Sequence, residues 1–151
     1  MYRAVLALSV LAVSALPAAA QVKLNWTTTE TDSGANLTFG TEDSSMLLFV
    51  CERGKALALV SVSGAKGLKA DDPAKIIFTA GKLKKELAGR AVANDDTSGI
   101  DVEAGAKLDD VKAVLAGGKT MTVEVKGAKQ QVALTGAPEA YGQFEAACKA
   151  N

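Results

Sequence analysis

Apolar and polar residues alternate along most of this chain, in short runs broken by glycine and small polar residues. Alternation places every second side chain on one face, the pattern of half-buried strands. In "VKLNWTT", Val22, Leu24 and Trp26 share a face, and in "ANLTFGT" Leu37 and Phe39 do so after the turn residues "DSGAN". "MLLFVC" is apolar on both faces, which predicts a central strand covered on both sides. "ERGK" turns around Gly54 into the strand "ALALVSV", and "SGAKGLKADDPAK" is a loop rich in Gly, Asp and Pro. "KIIFTAG" and "GIDVEA" are further strands. "KLKKELAGRAVA" fits a strand or a helix, and its closeness to the preceding strand favours a strand. "TMTVEVKGAKQQVALTG" is a hairpin turning near Gly127.

Two segments carry a longer period. In "AKLDDVKAVLAGG", Leu108, Val111 and Leu115 lie on one helical face, with Gly117 placed to supply a left-handed C-terminal cap. In "APEAYGQFEAACKAN", Tyr141, Phe144 and Cys148 recur on one face, and Pro138 suits a first turn. The sum is eight or nine short strands, one short helix and a C-terminal helix. This predicts a mainly β, single-domain β-sandwich or partly closed barrel, with the helices over an open end or edge.

The start of the chain has a different grammar. In "MYRAVLALSVLAVSALPAAAQ", Arg3 precedes an uncharged apolar run that Pro17 breaks, and Ala18 and Ala20 form an A-x-A site. That is a secretory signal peptide over 1–20, with cleavage expected between Ala20 and Gln21. The apolar run is shorter than the roughly 18–20 residues that span a bilayer, so no membrane insertion is expected after its removal. The remaining 21–151 is long enough for one domain. Arg3 leaves with the leader, so 17 basic residues become 16 against 17 acidic ones. A near-neutral domain with scattered lysines lacks the footprint of nucleic-acid binding. The densest cluster, Lys82 to Lys85, reads as a solvated or edge strand.

Export changes the meaning of the two cysteines, Cys51 and Cys148. In an oxidising compartment a pair in a small chain is expected to bond. Both sit in apolar settings, Cys51 beside Leu47 and Phe49 on a strand face and Cys148 beside Phe144 on a helix face. The alternatives are a reactive thiol, a redox pair or metal ligands. The chain has no C-x-x-C spacing and no histidine, so the disulfide is the favoured reading.

The missing histidine also bears on catalysis. It removes the commonest general base near neutral pH, together with Ser-His-Asp and Cys-His sites and histidine-built zinc centres. A serine–lysine pair among Ser61, Ser63 and Lys66 remains open by composition. Asp71–Asp72, Asp95–Asp96 and Asp109–Asp110 are adjacent acids, which turn and helix-start preferences explain. In "NDDTSGIDVE", Asn94, Asp96, Ser98 and Gly99 partly imitate a calcium loop, but Gly105 stands where the bidentate glutamate belongs. An Asx-rich turn accounts for the same residues. No catalytic, cofactor-binding or metal site is assigned.

The order of a tryptophan strand, "LLFVC", a helix before "GGKTMTVEV" and a closing "VALTGAPEAYGQFEAAC" resembles a group of small exported bacterial proteins of unassigned function. More distantly it is similar to the invasion-associated locus B proteins and to a periplasmic accessory protein of type VI secretion. The shared positions are Trp26, Phe49, Cys51, Leu134, Gly136, Phe144 and Cys148. They are core and staple positions, which carry fold and transfer no catalytic residue. With the missing histidine, the resemblance leaves two non-enzymatic expectations, the first a periplasmic or secreted cell-envelope accessory or binding protein, without catalytic activity or cofactor, that recognises a protein or glycan. The alternative is an exported inhibitor of an enzyme such as a lysozyme. Such inhibitors present serine and a basic residue to paired carboxylates, whereas "DDTSGIDVE" is acidic.

Overall fold

The computed structural model describes residues 23–149. The expected signal peptide over 1–20 and its expected cleavage between Ala20 and Gln21 lie outside the described residues. Alternation becomes nine strands: β1 (Asn25–Thr31), β2 (Gly34–Gly40), β3 (Ser45–Glu52), β4 (Leu57–Val62), β5 (Pro73–Ala80), β6 (Leu83–Asn94), β7 (Gly99–Lys107), β8 (Thr120–Val125) and β9 (Ala128–Ala133). The two longer-period segments become α1 (Leu108–Leu115) and α2 (Ala137–Lys149). The segment that fitted either period is the strand β6.

All nine strands form one antiparallel sheet, ordered β1-β2-β3-β4-β7-β6-β5-β8-β9. The hairpins follow local turn chemistry. Between β8 and β9, Lys126 and Gly127 both have positive φ (48° and 80°), as a two-residue type I′ turn requires. Two neighbour pairs are not consecutive in the chain. β4 pairs with β7 (Val60 opposite Ala104), and β5 pairs with β8 (Phe78 opposite Val123). The sheet curls into a half-barrel, so the partly closed barrel is the architecture adopted, and not the sandwich.

Alternation also decides which face is inside. Leu37, Phe39, Leu47, Phe49, Val60, Ile76, Phe78, Val102, Met121 and Val123 are all buried, and they merge into one core with the buried faces of both helices. The helices therefore fill the concave side, α2 against β1 and β2, α1 against β5, β6 and β7. Aromatic rings chain through this core, with centroids 5.1 Å apart for Trp26–Phe39, 6.3 Å for Trp26–Phe49 and 6.2 Å for Phe49–Phe78.

Cys51 and Cys148 are bonded, with their Cα atoms 5.8 Å apart, and both are buried. The bridge pins the last turn of α2 to β3. Polar contacts fasten the helix along its length. The Gly54 amide donates to the Cys148 carbonyl at 2.8 Å, the Thr28 hydroxyl to the Ala140 carbonyl at 2.6 Å, and the Tyr141 hydroxyl to the Leu108 carbonyl at 2.8 Å. The edge strands β1 and β9 are linked at one point, where the Trp26 indole N–H donates to the Ala133 carbonyl at 2.7 Å.

Several expectations need correction. β3 is internal but covered on one face: Leu47, Phe49 and Cys51 are buried, while Leu48 and Val50 remain half-exposed. The apolar second face meets no layer, because both helices lie on the concave side. Leu24 precedes β1 and is 41% exposed, so it does not join Trp26 in the core. The lysine cluster is solvated and lies along a locally open edge: β6 is internal to the sheet order, but β7 pairs only with Gly89–Asn94, so Lys84 and Lys85 are bonded to β5 alone. Lys84 pairs with Glu86 at 3.5 Å and Lys85 with Asp110 at 2.6 Å. Gly117 is not a left-handed cap; α1 ends on Ala116 with φ −90° and ψ 0°. A side chain at 117 would put its Cβ 2.6 Å from that of Ala80, so glycine is there for close approach.

Candidate functional site

An open groove of about 620 Å³ lies on the convex side of the half-barrel, across β6, β5 and β8. Its floor comes from the strand pattern. Ile76 and Phe78 point into the core, so Lys75 and Ile77 point outward. The register sets Ala88 of β6 opposite Lys75, and Glu124 of β8 opposite Ile77. Pro73 and Ile77 thus form an apolar floor with Ala88, and Asp72, Lys75, Glu124 and Lys126 stand around it.

The loop between β4 and β5 makes one wall through Leu68. It is held at several points and needs no ligand to shape it. The Ala65 amide donates to the Ile100 carbonyl at 2.7 Å, and Asp71 and Asp72 exchange backbone hydrogen bonds with Ala91. The Asp72 carboxylate accepts from the Lys69 amide at 2.8 Å, and Asp71 adopts φ 70° to complete the turn. At the far side the Lys126 ammonium donates to the Gly67 carbonyl, tying the β8–β9 turn to the loop.

Electrostatically the rim offers both signs. Lys75 pairs with Glu86 at 3.5 Å and Glu124 with Lys129 at 3.5 Å, all on exposed or half-exposed side chains. Exposed pairs contribute about 0–1 kcal/mol to stability, so these groups can exchange partners with a ligand at little cost. Among the described residues that line the groove there is no hydroxyl or thiol nucleophile. The arrangement suits binding: an aliphatic or sugar C–H face on the floor, and hydrogen bonds or ion pairs at the rim.

The residues considered from the sequence do not gather here. Ser61 is buried, the Ser63 hydroxyl lies 3.5 Å from an Asp101 carboxylate oxygen, and Lys66 is exposed on the loop. The Asn94 side-chain carbonyl accepts from the Asp96 and Thr97 amides at 3.0 and 3.1 Å, and its NH2 donates to Asp101 at 2.7 Å. This is the Asx turn, and it occupies the oxygen a calcium loop would need. No cluster of metal-ligating side chains occurs among the described residues. Asp109 and Asp110 stand in the first turn of α1, as their spacing predicts. No described helix is long and apolar enough to cross a membrane.

Three groups of α2 depart from their ordinary values: Lys149, raised by its hydrogen bond to Glu145, and two at the α1–α2 contact. Burial, then the Glu145 and Asp109 carboxylates, push the Tyr141 phenol up to about 12. Its hydrogen bond from Lys149 holds Glu145 below the usual carboxylate range, with Lys112 adding to the effect. Both groups serve the docking of α2.

Sequence reasoning missed the groove. Its signal was present in "KIIF", where Ile77 breaks alternation by placing an aliphatic side chain on the solvent face. What the sequence lacked was the loop and the β8–β9 turn that meet above it through Lys126. Comparison with protein-family models, curated proteins and solved structures finds no match.

Proposed function

We propose that this chain is an exported cell-envelope binding protein without catalytic chemistry, and that it recognises a protein segment or a glycan in the groove across β6, β5 and β8. The observation that carries the reading is the groove itself, an outward aliphatic floor with a hydrogen-bonded wall and a rim of both charges. A sheet face with no ligand would ordinarily present polar residues there. The leader-like start, the disulfide and the absence of histidine from the chain support export and a non-catalytic role. The inhibitor reading gains nothing, since the β6–β7 turn presents Asp95 and Asp96 and would repel catalytic carboxylates.

Affinity capture from an envelope extract, followed by mass spectrometry, tests this with two baits. Ala88 is exposed, so Ala88→Arg fills the groove without disturbing the core. The wild-type chain is expected to retain a component that Ala88→Arg loses. Equal retention by both baits would overturn the groove as the recognition site. Intact mass of the exported protein is expected to begin at Gln21, and a cytoplasmic chain retaining Met1 would overturn export.

A further inference from the structure

The convex face carries a second unusual area, away from the groove, on β3, β4 and β7. Leu57 and Leu59 of β4 are 58% and 41% exposed, although Ala58 and Val60 between and beyond them are buried. The register arranges their neighbours in transverse rows. Leu59 lies between Val50 of β3 and Gly105 of β7. Leu57 lies opposite Lys107 of β7, and on the other side of β4 Glu52 of β3 lines a hollow beside Leu57 together with Lys55. Neither Lys107 nor Glu52 has an ion-pair partner among the described residues. At Gly105 an added Cβ would meet nothing within 4 Å, so the row has an open notch beside Leu59.

We infer that this face binds a second copy of this chain. The reason is the order of the rows. A two-fold axis lying in the interface, parallel to β4, reverses the order of strands between the two faces. Lys107 of one copy then stands over Glu52 of the other, twice. Val50 of each copy stands over the Gly105 notch of the other, and the leucines of β4 meet along the axis. Charge and shape are thus self-complementary under one operation, which is the requirement of an isologous interface. A partner of a single charge sign would meet a like charge on one flank.

The area sets the strength. Strands about 4.8 Å apart and rows about 6.8 Å apart make a patch well below the roughly 800 Å² per partner of a standard stable interface, so the dimer is weak and forms with rising concentration. The groove plays no part in it, and this inference stands or falls independently of the proposed function.

Sedimentation equilibrium of the exported, purified protein over a wide concentration range decides it. The wild type is expected to move from monomer towards dimer. Leu59→Arg is expected to remain monomeric. Glu52→Lys and Lys107→Glu, both at exposed positions that leave the core untouched, should each weaken association roughly tenfold or more, because each creates two like-charge contacts. The double variant Glu52→Lys with Lys107→Glu should recover to within a few-fold of wild type. A wild type monomeric throughout, association surviving Leu59→Arg, or a double variant no better than the singles would each overturn the inference.

Discussion

Replacing Cys51 and Cys148 with alanine removes a covalent bond and leaves the other attachments of α2 in place. The Gly54–Cys148, Thr28–Ala140 and Tyr141–Leu108 hydrogen bonds persist, as does the buried face of Ala140, Tyr141, Phe144 and Ala147. The principal effect falls on the unfolded chain, which regains the freedom that a cross-link spanning 97 residues had removed. Chain entropy for a loop of that length gives about 4.7 kcal/mol, and native bridges of small secreted domains are worth about 2–5 kcal/mol. Urea unfolding of the double variant should therefore show a lower midpoint and a loss within that range. Its slope should rise, because the uncrosslinked unfolded chain exposes more surface. The single variants should lose a similar amount, since either change breaks the same bond. An unchanged midpoint would refute the entropic account, and two titratable thiols in denatured, unreduced wild type would refute the bridge itself.

Trp26→Phe should cost about 0.5–1.5 kcal/mol for the lost bond to Ala133, plus some packing, and should speed amide exchange at the end of β9. Unchanged exchange there would mean that the indole does not hold the two sheet edges together. Gly89→Ala would place a Cβ 2.0 Å from the Glu103 carbonyl oxygen, and thermal melting should reveal a loss of about 1–3 kcal/mol; a neutral result would refute that close approach. Tyr141 gives a pH prediction. Its folded value is raised to about 12 from an ordinary value near 10, so its contribution is complete below about pH 10 and lost as pH rises towards 12. Tyr141 is the only tyrosine beyond residue 20, so in a chain beginning at Gln21 phenolate absorbance should appear near pH 12 when folded and near pH 10 after unfolding. Ionisation at the ordinary pH in both states would contradict its burial against Leu108.

Local rules made the elements legible. Strict alternation in Leu47, Phe49 and Cys51 identified the inner face of β3, and the spacing of Tyr141, Phe144 and Cys148 identified the face that α2 buries. Those two faces, together with the expectation of export, predicted the disulfide. Long-range placement was less legible. Nothing in the composition of β4 or β7 announces that they are neighbours, although more than thirty residues separate them. The same ignorance made "MLLFVC" look covered on both sides: apolar residues at Leu48 and Val50 mean a missing layer in the sheet but a buried strand in the sequence. The groove was hidden for a related reason. Ile77 and Ala88 lie on adjacent strands, but Leu68 and Lys126 reach them only through a loop and a turn distant in the chain.

The proposal that the groove across β6, β5 and β8 is the recognition surface is tested most directly by site-specific photocrosslinking in the exporting cell. A photoreactive residue at position 88, on the groove floor, is predicted to capture a discrete envelope component, which excess purified wild type should compete away. The same residue at position 146, exposed on α2 and away from the groove, is predicted to capture none. Capture of the same component from both positions, or from position 146 alone, would contradict the account.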